Sequence, residues 1–268
     1  MRSPFDFALR PSRGAAATDR WFLVACTVAF GASVALTIRL CDPTCCSSVM
    51  MSGGWTLSAV WTRGAGESWP GKLASFLAMW TVMMVAMMLP CVIPTLRRHR
   101  HALERAGAVR AGASTLLVSS GYFAVWAAIG SVIYPIGAAI ASAALHSPAV
   151  SRVVPALSAI VLVLTGAFQL TPWKSRALLR CRSESSCNCA ASPWRHGVAL
   201  GVHCSWCCFG LVAALLVLGA MDIGAMAIVA TATIAERIAP APLRIARCTG
   251  ALAIAAGALM TARIVLAS

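Results

Sequence analysis

Met79-Trp80-Thr81-Val82-Met83-Met84-Val85-Ala86-Met87-Met88 places five thioethers within ten residues, and Gly201-Val202-His203-Cys204-Ser205-Trp206-Cys207-Cys208 places three thiols and an imidazole within six. Both runs are apolar. Apolar surroundings call for hydrophobic residues, but not for sulfur. Thiolate and thioether donors select soft ions, Cu(I) first and zinc or other thiophilic metals after it. Met79, Met83 and Met87 step by four along one helical row, with Met84 and Met88 in the row beside it. Methionine also fills irregular gaps between helices, which explains one or two such residues better than five. His203, Cys204, Cys207 and Cys208 share an arc of about 140° at 100° per residue, narrow enough for one site. Small buried cysteines can also serve simply to let helices approach, and a Cys204-x-x-Cys207 pair can cycle between thiol and disulfide.

The elements that must carry these side chains are membrane helices. Of the 268 residues 59% are hydrophobic and 11% charged, with a mean hydropathy of +0.80, a composition of the membrane class. Windows long enough to span a bilayer fall at 21–40, 71–95, 114–140, 153–172, 194–219, 223–239 and 247–266, which gives an all-α polytopic bundle of about seven transmembrane helices. The segment 223–239 is also readable as re-entrant, because only Met221-Asp222 separates it from the span before. Pro90 and Pro94 are expected to kink or end the second helix, and Ser192-Pro193 to open the fifth as N-cap and first helical residue.

Twenty-two Lys and Arg against eight Asp and Glu give a net charge of +14. The cations cluster between apolar runs: four Arg ahead of the first span, Arg97 to Arg110 after the second, Lys174 to Arg195 after the fourth, and Arg244 and Arg247 after the sixth. They form no single phosphate-binding face, which excludes a nucleic-acid partner. By the positive-inside rule the N-terminus is cytoplasmic, residues 1–20 form a basic tail, and 21–268 form one membrane domain. The first apolar run is longer than a signal-peptide core and reads as a retained helix.

Counted inward from Pro193, Cys204 lies about 16 Å into the bilayer at 1.5 Å per residue, near the depth expected for Met79 to Met84. Asp222 and Glu236 are the only carboxylates after Glu184. Intramembrane carboxylates are costly and often functional. Asp222 is expected at a solvated boundary, and Glu236 beside Arg237 or Arg244. Met221 and Met226 add thioethers near Asp222. Cys181, Cys187 and Cys189 fall in the basic loop 173–195, and Cys41, Cys45 and Cys46 in the outer loop 41–70, where two of the three could form a disulfide. No P-loop pattern or soluble region for a nucleotide domain is present.

Three ordered motifs resemble the bacterial family catalogued as domain of unknown function 2182, described as predicted metal-binding integral membrane proteins. The first is Met79-Trp80-x-x-Met83-Met84-x-Ala86-Met87-Met88-x-Pro90. The second is Gln169-Leu170-Thr171-Pro172-x-Lys174 followed by Leu178-x-x-Cys181-Arg182. The third is Gly201-x-x-Cys204-x-x-Cys207-Cys208, then Gly219-x-Met221, Met226 and Glu236. The resemblance covers about 79–236. Trp206, Phe209, Asp222, Arg237 and Ala177 depart from its usual pattern. It implies metal binding in a bacterial inner membrane, with Cys181, Met221, Asp222, Met226 and Glu236 as further site residues.

The expected function is therefore binding of a soft metal, copper foremost, by intramembrane Cys and Met. It would serve transport, or delivery between a metal chaperone and a client metalloenzyme. It is not an enzymatic role. The rival classes are a membrane thiol–disulfide relay and a non-metal assembly factor.

Overall fold

The computed structural model describes residues 13–45, 48–51, 55–62, 64, 66–106, 108, 110–183, 192–220 and 222–267. Among them are eight α-helices: α1 (Arg13–Cys45), α2 (Trp69–Arg105), α3 (Ala111–His146), α4 (Pro148–Gln169), α5 (Pro172–Ser183), α6 (Pro193–Gly219), α7 (Ile223–Ile238) and α8 (Pro242–Ala267). Between α1 and α2, a small antiparallel hairpin pairs β1 (Ser48–Met50) with β2 (Thr56–Ser58). Glu67 follows it. Its carboxylate accepts from the Gly64 N–H at 2.8 Å and pairs with Lys72 at 3.3 Å, which together hold it below the usual carboxylate range.

Six of the helices, all but α5 and α7, are long and apolar enough to cross a membrane. Their outward faces carry large apolar side chains such as Trp21, Leu116, Ile160, Phe209 and Leu252, as lipid-facing helices do. The seventh expected span is α7, whose 16 residues cover about 24 Å, short of a hydrocarbon core of about 30 Å.

Helix bounds exceed the hydropathy windows at several ends. α1, α2 and α3 extend to Arg13, Arg105 and His146, because hydropathy reports the apolar stretch while backbone hydrogen bonds continue into polar flanks of good helix formers. Of the kink or end expected at Pro90 and Pro94, the end does not occur: α2 runs through both prolines to Arg105. Past them it carries Arg97, whose Nε donates to Asp19 of α1 at 3.0 Å. The expected start of α6 at Ser192-Pro193 is borne out. The loop expected at 173–195 instead begins with helix α5.

Helix α3 is the hub, packing against α2 on one side and α6 on the other. The α3–α6 contact is backbone to backbone. Gly197 and Gly201 stand one turn apart on α6. A Cβ at Gly197 would collide with the Val118 carbonyl, and one at Gly201 would sit 2.9 Å from the Tyr122 oxygen. The Gly-x-x-x-Gly spacing, present in the sequence as Gly197-Val198-Ala199-Leu200-Gly201, permits this approach. Gly197→Ala should therefore separate α3 from α6 and destabilise the bundle by about 1–3 kcal/mol, the usual cost of overpacking. Thermal unfolding in detergent would measure it, and an unchanged midpoint would contradict the close crossing. On the opposite side α4 meets α8 in the same way, where a Gly166 Cβ would lie 2.6 Å from the Gly250 oxygen.

Candidate metal centre

Cys204, Cys207 and Cys208 line the buried side of α6, each no more than 2% exposed. One turn of helix brings Cys204 Sγ within 4.0 Å of Cys208 Sγ. From α3, the Tyr122 hydroxyl donates to Cys204 Sγ at 2.9 Å. Tyr122 is fully buried, so a buried hydroxyl finds its partner in sulfur. Cys207 lies within interaction range of Cys208 and of Cys181 of α5. The Cys181 thiol also donates to the His203 carbonyl at 3.3 Å.

Among the described residues, no three His, Cys, Asp or Glu side chains converge as they stand on one ion position. Two of the sulfurs, Cys204 and Cys208, stand close together. With metal–thiolate bonds of about 2.3 Å, two sulfurs on one ion stand about 3.8 Å apart at a tetrahedral angle and about 4.6 Å when linear. The 4.0 Å between Cys204 and Cys208 falls within that range. An all-sulfur donor set suits Cu(I).

The thioethers adjoin the thiols. Met79, Met83, Met84, Met87 and Met88 are each at most 7% exposed, and all belong to the same buried cluster as the three cysteines. Their arc on α2 is wide, yet α1, α3 and α7 together cover it. α3 links the two sulfur groups: the Trp80 indole, within the methionine run, donates to the Trp126 carbonyl at 2.8 Å, one turn from Tyr122. Met226 of α7, buried against α2, brings a sixth thioether into the cluster.

Fixed charge surrounds the thiols. The Arg237 guanidinium lies within electrostatic range of Cys204, Cys181, Cys208 and Tyr122. Lys174 of α5, fully buried, donates to the Cys207 carbonyl at 2.7 Å and pairs with Glu236 at 2.7 Å. Glu236 also accepts from Gln169 at 2.8 Å and from Thr249 at 2.9 Å. This network joins α4, α5, α7 and α8 beneath the cysteines. Neighbouring sequence pointed Glu236 at Arg237 or Arg244; the fold also supplies Lys174, from a different helix.

His203 does not join the thiols. Its side chain is exposed and lines a cleft with Trp173, Arg176, Ala177, Arg180 and Trp206. At 100° per residue it stands about 100° from the centre of the buried face. Asp222, exposed, caps α7 by accepting from the Ala225 N–H, which fits a boundary residue. Cys41 is buried, and the disulfide considered for it with Cys45 or Cys46 involves side chains outside the described residues. Met221, Cys187, Cys189, Cys46 and the side chain of Cys45 lie outside the described residues.

Tyr122, Lys174, Arg237 and Cys91, the last buried on α2 within electrostatic range of Cys204 and Cys207, were not singled out as site residues by sequence reasoning. Lys174 carried a signal in its place in the second motif, and Arg237 in its place beside Glu236 at a position of the third; Tyr122 and Cys91 carried none.

Residues 77–260, more than half of the chain, match the family model PpoB2, described as a copper chaperone. No curated protein and no solved structure gives a significant match.

Proposed function

The chain belongs to the PpoB2 copper chaperone family, and from that premise we propose that it is a bacterial inner-membrane carrier that holds Cu(I) on Cys204, Cys207 and Cys208 for delivery to a membrane or exported metalloenzyme. The observation that carries this reading is the burial of three thiols and six thioethers in one cluster, with two thiols 4.0 Å apart. The likeness to the domain of unknown function 2182 family supports the same reading. So does the run of six helices long and apolar enough to span a bilayer.

Copper is the cargo. Two thiolates on Cu(I) form a complex of net charge −1, and a buried charge costs several kcal/mol unless paired. Arg237 supplies the compensating cation beside the sulfurs, while Lys174 and Glu236 cancel each other. The Tyr122 hydroxyl steadies Cys204 as donor. Cys181, on the short basic helix α5, reaches Cys207 and offers the first sulfur to a cytosolic donor. The neutral thioethers of Met79, Met83, Met84, Met87, Met88 and Met226 hold the ion more weakly and exchange it from one to the next, so that it passes without water.

Protein purified in mild detergent from cells grown in copper and zinc should carry near-stoichiometric copper and little zinc by elemental analysis. Background copper in folded protein would overturn the assignment. Changing Met83, Met84, Met87 and Met88 to Leu conserves volume, at under about 1.5 kcal/mol for each swap. It should leave copper content intact while slowing copper release to a soluble Cu(I) chelator by an order of magnitude or more, followed by stopped-flow absorbance. Equal release rates would remove the thioethers from the path.

A further inference from the structure

Helix α5 has two distinct faces. Lys174, Leu178 and Cys181, at steps of four and three, point into the bundle, and the first two are fully buried. Trp173, Arg176, Ala177 and Arg180 point the other way and, with His203 and Trp206 of α6, line an open cleft of about 250 Å³. Trp173 is 68% and Trp206 63% exposed. Nothing in the copper reading uses this cleft.

Its depth follows from α4. The 22 residues from Pro148 to Gln169 span about 33 Å, one hydrocarbon thickness. If Ser147 marks one boundary of the bilayer, Gln169 marks the other. α5 starts at Pro172, just beyond it, and α7 ends at the same level, because Glu236 near its end bonds Gln169. The cleft therefore lies where hydrocarbon gives way to headgroups, on the basic side of the bundle. The bond from Lys174 to the Cys207 carbonyl puts the cysteines near that level too, shallower than the depth of about 16 Å counted from Pro193, with the first turns of α6 reaching beyond it.

Tryptophan concentrates at that level. Arg176 and Arg180 are one turn apart and open onto the same cleft, and guanidinium forks match phosphate oxygens in pairs. No carboxylate is among the described residues that line it. Basic pockets between helices on the cytoplasmic side are of the kind that hold anionic lipid headgroups.

We propose that the cleft between α5 and α6 binds the phosphate headgroup of an anionic phospholipid, held by Arg176 and Arg180, with the rings of Trp173 and Trp206 along its acyl chains. The bound lipid braces the outer face of α5 and so holds its inner face, with Cys181 and Lys174, against α6. This site stands whether or not the thiols carry copper.

The test uses the full chain reconstituted in nanodiscs of mixed phosphatidylglycerol and phosphatidylcholine. The protein is then stripped in detergent, and its retained lipid is quantified by mass spectrometry. The parent should retain phosphatidylglycerol in preference to phosphatidylcholine. Arg176→Gln with Arg180→Gln should cut the retained phosphatidylglycerol several-fold, while Arg105→Gln with Arg110→Gln, the same charge change elsewhere on the basic side, should leave it unchanged. The site is refuted by equal retention in parent and Arg176/Arg180 variant, by equal loss in both double variants, or by equal retention of the two lipids. Displacement of the lipid by millimolar inorganic phosphate would also overturn the proposal, since the cleft would then be a free-anion site.

Discussion

Changing Cys204, Cys207 and Cys208 together to Ala is expected to reduce bound copper from near-stoichiometric to background. Each residue is at most 2% exposed, so the loss cannot be assigned to surface thiols that scavenge metal. Truncating a buried cysteine to Ala removes one small apolar group, a modest cost beside that of deleting a large core side chain. Helix content by circular dichroism and a single gel-filtration peak would confirm that the variant folds. Cys204→Ala with Cys208→Ala should lose nearly as much copper as the triple variant, because these are the sulfurs already 4.0 Å apart. Cys26→Ala, which removes a buried thiol of α1 outside the cluster that holds the sulfur donors, should lose none. Full copper content in the folded triple variant would move the metal elsewhere and end the proposal.

The second large effect concerns the buried pair Lys174 and Glu236. Lys174→Met leaves the Glu236 carboxylate without its 2.7 Å partner, and Glu236→Gln leaves the Lys174 ammonium without its counter-charge. Breaking a buried pair from one side costs about 3–5 kcal/mol, or an apparent Tm lowered by roughly 6–20 °C for a chain of this size. The double change Lys174→Met with Glu236→Met should recover much of the loss, since an apolar replacement leaves no buried charge unpaired. A double-mutant cycle from thermal unfolding in detergent measures the coupling. Single variants as stable as the parent would mean that water or lipid headgroups reach the pair. Copper content adds a second readout. Lys174 also holds the Cys207 carbonyl, so the Lys174 variant should weaken copper retention more than Glu236→Gln at equal stability.

Most of the helical architecture was legible in the sequence, and the sulfur sites were legible as groups of residues. The start of α6 at Ser192-Pro193 and the six long apolar helices follow from local signals. Helix α5 was missed for a physical reason. Its inward stripe is Lys174, Leu178 and Cys181, which is not an apolar pattern, and its charge resembles that of a cytoplasmic loop. Pro90 and Pro94 suggested a kink or an end to α2, and the end did not occur. A proline forgoes one backbone hydrogen bond, and packing against α1, α3 and α7 outweighs that loss. The spacing of Gly197 and Gly201 was in plain view, but a glycine pair acquires meaning only from the helix that approaches it.

The sequence by itself determined that this is a bundle of apolar helices and that its soft donors lie within them. Both follow from local physics: a helix in lipid must satisfy every backbone group within itself, and donor chemistry belongs to the side chain. Only the tertiary structure decided that Tyr122 would meet Cys204, that Cys181 would join Cys207, that His203 would turn outward, and that Lys174 would pair with Glu236. Those relations depend on the rotation of each helix about its own axis and on which helix lies beside it. That choice is made by close packing between segments far apart in the chain, and no local pattern encodes it.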